Sequence, residues 1–352
     1  LVLLEGVRYV HLPIGGRYDG DTNLQLGKNK LTLAGESAGA IYVHAHLITG
    51  PPVQRAILAS GSLYLSSPLP VERGDGLIKA LEAKVQQAGQ SSLREASVAS
   101  LLKALKESNV NTMWIQEDEE LQGWETRMEQ VDEIMIGDTE YEVSSGFPSY
   151  LLRHFILTAK SVIWRNGIET LDGPTIAAAF EQDKTWGTTL RKMYHVVPDR
   201  PTACKLGALD LVNDARYTLP VELIAEKLEA TGKPVYKYIV DQPNPWQASS
   251  RAHHAVDLLF LFGSVDLSFN PAAEAVGRQM RENWSTFVTG VKPWRLTGRF
   301  AYGPVGESKE ITEGDFAFRR RVGHLKVLKE AGIEVYLPIV FALTAGKISL
   351  LN

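Results

Sequence analysis

"LTLAGESAGAIYVHAHL", residues 31–47, runs apolar into Gly35-Glu36-Ser37-Ala38-Gly39 and leaves with helical spacing. Residues 31–34 read as a short buried strand and 38–48 as a helix, its apolar face broken by His44 and His46. A strand-to-helix turn this tight puts its central serine in a strained backbone conformation that lifts the hydroxyl clear of the sheet edge. Gly35 and Gly39 are expected because side chains there would collide with the neighbouring strand and helix. The N–H of Ala38, at the helix start, points where charge would develop on a reacting oxygen. Taken alone, a turn of small residues without chemistry explains the stretch as well. The strand before it and the helix after it give the pattern its weight.

Working outward, Arg55–Ala59 suggests a second buried strand that ends in Ser60-Gly61-Ser62. From 71 to 130 the pattern is helical and amphipathic, with Leu77, Ile78, Leu81, Val85, Val98, Leu101, Leu102 and Leu105 at helical spacing. The stretch from about 64 to 130 is long enough to form a helical lid or insertion. Residues 133–137 read as a strand entering an acidic turn, and helical patterns return over 146–165 and 174–195. Thr218–Thr231 reads as a helix with Pro220 in its first turn, stopped by Gly232-Lys233-Pro234. Val235–Val240 alternates as a strand, a helix spans about 271–289, and a final helix-strand pair is expected over 320–340. Strands alternating with helices predict an α/β fold around a mostly parallel sheet, formed by one domain over 1–352.

Composition removes several classes of function. Apolar residues make up 44% and charged residues 22% of the 352, with a formal net charge of −4. That balance lacks the basic face a nucleic-acid binder needs, and no apolar run is long enough for a transmembrane helix. Cys204 is the only cysteine, which excludes an intrachain disulfide and a cysteine-based zinc site. It leans towards a reducing, cytoplasmic setting. No Walker loop or dinucleotide-binding glycine fingerprint occurs. His44 and His46, two apart on a helix, point to different faces and so do not make a metal pair. Phe147, Tyr150, Trp284 and Phe287 read as core. Residue 1 is not Met, and Leu1–Leu4 is too short an apolar run for a signal peptide, so the sequence reads as incomplete at its start.

A serine nucleophile needs a base, and the base an orienting carboxylate. "IMIGDTEYEVSSGF" (134–147) offers Asp138, Glu140 and Glu142, and "SSRAHHAVDLLFLFG" (249–263) offers His253 and His254. Each segment also has a plain reading, as a solvated acidic loop and as a histidine pair at a helix start.

Together these stretches resemble the type-B carboxylesterases, the cholinesterase-like branch of the α/β-hydrolase fold. The family's Gly-Glu-Ser-Ala-Gly elbow is complete at 35–39, and "RAILASGS" (55–62) is similar to its next strand. Its Gly-x-x-x-Asp-Glu-Gly turn, laid on "GDTEYEV" (137–143), puts the acid at Glu142, with Tyr141 and Val143 departing from the pattern. Its histidine precedes a small residue, an acidic residue and then Phe-Gly, which "HAVDLLFLFG" (254–263) matches with His254. "LVNDARYTLPVELIAEKLEATGKPVYKYIVD" (211–241) and "ENWSTFVTGVKPW" (282–294) are similar to its C-terminal half. The resemblance is clearest over 31–294.

It implies an α/β-hydrolase fold, N-terminally shortened, because family members carry several strands and a His-Gly-Gly-Gly loop before the elbow. Gly15-Gly16, which alone reads as a turn between strands, is the nearest substitute for that loop's oxyanion donors beside Ala38. The implied function is hydrolysis of a small-molecule carboxylic ester through an acyl-enzyme, with Ser37 as nucleophile, His254 as base and Glu142 as acid. No cofactor or metal is implied. The alternative is a weak or silent relative with a binding or adhesion role. Oligomeric state has no sequence signature here.

Overall fold

The computed structural model describes residues 2–5, 8–11, 31–51, 53–108, 115–143, 167–296 and 298–344. The described residues form an eight-stranded sheet. Its strands are β1 (Val2–Glu5), β2 (Arg8–His11), β3 (Leu31–Glu36), β4 (Arg55–Ala59), β5 (Glu133–Thr139), β6 (Val235–Val240), β7 (Arg299–Tyr302) and β8 (Ser308–Ile311). They lie in the order β2-β1-β3-β4-β5-β6-β7-β8. Strands β3 to β7 run parallel, while β1, β2 and β8 pair antiparallel at the two edges.

Helix α1 (Ala38–Thr49) follows β3, and α2 (Val71–Gln87) and α3 (Val98–Glu107) lie between β4 and β5. Next come α4 (Gly173–Phe180), α5 (Gly187–Met193), α6 (Pro201–Asn213) and α7 (Leu219–Glu229), before β6. Helices α8 (Val256–Phe262) and α9 (Pro271–Val288) separate β6 from β7. The chain closes with α10 (Glu313–Arg319), α11 (Val322–Ala331) and α12 (Ile333–Thr344).

Why the sheet is buried on both faces follows from its period-two pattern. Leu31, Leu33, Ala56, Leu58, Ile134 and Ile136 face one way, onto Val43, Leu47, Ile224 and Leu228 of α1 and α7. Ala34, Ile57, Met135, Tyr236 and Tyr238 face the other way, onto Phe260, Val276, Met280 and Phe287 of α8 and α9. Phe287 is therefore core, and Trp284 packs against the same cluster. A further cluster joins α4–α6 to α11 and α12. Residues 144–166, which hold the expected helix at 146–165 together with Phe147 and Tyr150, lie outside the described residues, as do Gly15 and Gly16.

Three sequence expectations need correction. The helix-strand pair over 320–340 is two helices, and the late strands β7 and β8 lie before it. "IEVYLPIVFALT" is almost continuously apolar, and period alone cannot separate a buried helix from a strand in such a run. Its buried residues, Tyr336, Ile339, Val340 and Leu343, follow helical spacing. Helix does not fill 71–130: it ends at Glu107, and residues 115–132 form turns around a short 3₁₀ segment at Trp124–Thr126. Strand β5 does not stop at Gly137 but continues to Thr139. That glycine serves a close strand approach, since a Cβ there would fall 2.4 Å from the Tyr238 carbonyl oxygen.

Candidate active site

Ser37 stands between the end of β3 and the start of α1 with φ 53° and ψ −118°, a conformation that costs a non-glycine residue of order 1–3 kcal/mol. Neighbours over-determine it. The Ser37 N–H donates to the Ala59 carbonyl at 2.9 Å, tying the elbow to β4. A Cβ on Gly35 would come within 2.3 Å of the Gly39 carbonyl, so glycine is required there. Gly39 itself faces open space, and the expectation that it too avoids a collision is incorrect. The second crowded position is Gly61, where a Cβ would fall 2.4 Å from the Ser37 carbonyl oxygen.

His254 arrives from the loop before α8, followed by Ala255 at φ 63°. Its Nε2 lies 2.7 Å from Ser37 Oγ, and its Nδ1 lies 2.5 Å from Glu142 Oε2. Glu142, fully buried in the turn after β5, accepts the Thr139 N–H at 2.6 Å through Oε1. Its own N–H donates to Asn213 Oδ1 at 2.8 Å. Because an ionised carboxylate only accepts, His254 Nδ1 carries a proton, and in the neutral ring Nε2 is left to accept the serine hydroxyl.

The neighbouring candidates are engaged elsewhere. His253 donates from Nδ1 to the His254 carbonyl at 2.8 Å and accepts from Asn244 Nδ2 at 2.9 Å. Burial presses its pKa down to about 4. Asp138 accepts the Thr218 hydroxyl at 2.6 Å and lies 3.6 Å from Arg320. Glu140 takes Arg251 through two hydrogen bonds of 2.6 and 3.0 Å. Both departures from the family's acid turn have packing roles. Tyr141 N–H donates to the Ala252 carbonyl at 2.9 Å, its ring lies under the Arg251 guanidinium, and Val143 is buried.

Two further carboxyl groups, Glu36 and Asp257, act on the imidazole through their charge, and neither was assigned a role from sequence. Glu36 Oε1 is 3.4 Å from His254 Nε2. Burial lifts Glu36 to about 8 against the pull of His254, with Asp257 and Glu142 adding to the rise. Burial, then the Glu142 charge, likewise lifts Asp257 to about 7. Burial would depress His254, but the Glu36 and Glu142 charges outweigh it and raise the ring to about 9. Facing each other across 3.4 Å, Glu36 and His254 lose their protons as a pair. Signals for both carboxyls were present, as the second residue of the elbow and the acidic residue three after His254. Asn213 had none, since it comes from the end of α6.

Elsewhere, His44 is bound to Glu129 and the Leu63 N–H. Among the described residues no group of three or more His, Cys, Asp or Glu side chains is arranged to hold a metal ion. No described helix is long and apolar enough to cross a membrane.

Comparison with known proteins gives the family and the fold. A family model described as "Carboxylesterase family" matches residues 27–314. Lipase 3 of Yarrowia lipolytica (strain CLIB 122 / E 150) is 26% identical over 280 residues, covering 75% of this chain and 51% of that protein. A solved PNB esterase superposes with a TM-score of 0.54 at 17% identity, over 83% of this chain and 63% of its own. A thermophilic PNB esterase gives 0.54 at 18%, over 84% and 62%. The chain thus spans about half the length of the curated relative, and under two thirds of those solved chains. With the family model covering most of the sequence and the sheet superposing on these esterases, the chain has the α/β-hydrolase fold and belongs to the carboxylesterase family.

Proposed function

We propose that this chain hydrolyses small-molecule carboxylic esters through an acyl-enzyme on Ser37. The observation that carries the reading is the unbroken line Glu142 Oε2–His254 Nδ1, His254 Nε2–Ser37 Oγ, at 2.5 and 2.7 Å. Ser37 Oγ attacks the ester carbonyl carbon while its proton passes to His254 Nε2. The carbonyl π pair moves onto oxygen, and Ala38 N–H, in the first turn of α1 where no intrahelical acceptor exists, stabilises that charge. Gly15 and Gly16 are the candidates for further donors. As the tetrahedral intermediate collapses, the alkoxide leaves with the proton from His254. Water then loses a proton to His254 and attacks the acyl carbon, which releases the acid and restores the Ser37 hydroxyl. Glu142 holds the imidazole in the required tautomer and stabilises its cation throughout.

Treatment with a fluorophosphonate, followed by peptide mapping, tests the reading. Labelling is expected at Ser37 and lost in a folded Ser37→Ala chain, together with turnover of a short-chain chromogenic ester. Equal labelling of the Ala variant would remove Ser37 from the mechanism.

A further inference from the structure

A second buried histidine–carboxylate pair lies beneath the elbow, on side chains the chemistry does not use. His44 follows Ser37 by seven residues, two helical turns, so it sits on the same side of α1 below the serine. Both His44 and Glu129 are fully buried. The Leu63 N–H donates to His44 Nδ1 at 3.1 Å, which fixes the ring proton on Nε2. That Nε2–H donates to Glu129 Oε1 at 3.0 Å. Glu129 also takes Lys227 Nζ at 2.7 Å, and Lys233 Nζ donates to the Glu129 carbonyl at 2.9 Å.

What His44 holds is the turn that touches the serine. Residues 60–65 leave β4 with Ser60 at φ 49°, and Gly61 follows, pressed against the Ser37 carbonyl. Leu63 is pinned by His44, while Leu65 N–H closes onto the Ser62 carbonyl at 2.9 Å. Arg216 Nη1 donates to the Leu65 carbonyl at 2.5 Å. The Tyr64 ring meets Trp124 edge-on at 4.7 Å.

We propose that His44 is a positioning residue for Ser37: by accepting the Leu63 N–H it keeps the 60–65 turn, and with it Gly61, seated against the nucleophile's carbonyl. The inference rests on Ser37 being the nucleophile. It assigns the two hydrogen bonds of His44 different jobs. The Nδ1 bond sets the elbow geometry; the Nε2 bond satisfies a buried carboxylate and so governs stability.

His44→Asn and His44→Gln separate the two bonds. An Asn Oδ1 takes roughly the place of Nδ1 and accepts Leu63 N–H, whereas a Gln amide reaches the place of Nε2 and donates to Glu129. The expected result is opposite rankings. Gln is the more stable variant in urea unfolding, yet phosphonylates at Ser37 about tenfold more slowly than wild type, the scale of a sub-ångström misplacement. Asn is the less stable variant but, per folded molecule, labels within about threefold of wild type. Labelling that follows stability, or equal rates in both folded variants, would overturn the inference while leaving the esterase reading intact. A wild-type chain that does not label at Ser37 would overturn that reading instead.

Discussion

Glu36 Oε1 lies 3.4 Å from His254 Nε2, on the nitrogen that also meets the Ser37 hydroxyl at 2.7 Å. The residue beside Ser37 in sequence is thus also an electrostatic neighbour of the imidazole that the proposed mechanism uses as base. A carboxylate there favours the imidazolium and raises the His254 pKa. Catalysis needs the neutral ring, so kcat/KM falls as pH drops through that value. The acid limb of the profile is therefore expected above the ordinary imidazole value of about 6.5. Glu36→Gln removes the charge and should move the limb to lower pH by about one unit. A limb that stays fixed or moves upward in the variant would refute this.

Glu142→Gln should fold, because an amide oxygen still accepts the Thr139 N–H. Its NH₂ would donate to His254 Nδ1 and impose the wrong tautomer, with a loss in kcat of about 10⁴. Glu140→Gln, which loses a charged contact to Arg251, should change kcat less than about tenfold. Steady-state kinetics on both variants checks the assignment, and comparable losses would place the acid elsewhere.

Two glycines four residues from each other in the elbow should answer oppositely to alanine. Gly35→Ala drives a methyl group into the Gly39 carbonyl and is expected to unfold the elbow or the chain. Gly39→Ala meets nothing within 4 Å and should stabilise by about 0.4–1 kcal/mol, through lost freedom in the unfolded state. Urea melts of the two variants read the difference.

His253 is buried neutral, with a pKa lowered to about 4. Between that value and about 6.5 the unfolded chain binds a proton that the folded chain refuses, so stability rises with pH across this window. The contribution is complete above about pH 6.5, is lost as pH falls, and amounts to at most about 1.4 kcal/mol per pH unit. His253→Gln should flatten the dependence of unfolding free energy on pH over that range. An unchanged slope would show that His253 titrates normally.

How much was legible in the sequence varied with how local the information was. The elbow could be read because strand, turn and helix signals fall within seventeen consecutive residues. The strand at 55–59 could be read because it is a buried apolar run, and that at 235–240 from its alternation. Apolarity of the same kind concealed α12, whose residues would serve a strand equally well. Short strands such as β7 and β8, four residues each, offer too little period to detect. At the site, sequence pattern narrowed three carboxylates and two histidines to one pair, but only through a family likeness. The physical separation of Glu142 from Asp138 and Glu140 lies in partners 71 to 112 residues away: Asn213, Thr218, Arg251 and His254. No local signal announces such partners, and Gly39 shows that a conserved-looking motif position need not be a crowded one.

The contact between Ser37 and His254 joins residues 217 apart in the chain. Strand, turn and helix at the elbow are local in sequence, whereas the Ser37 hydroxyl meets the His254 imidazole only where the end of β3 and the loop before α8 come together. Closing so long a loop adds little free energy per added residue, since the cost grows only with the logarithm of length. Labelling of Ser37 followed during refolding is therefore expected to report when this contact between distant parts of the chain has formed.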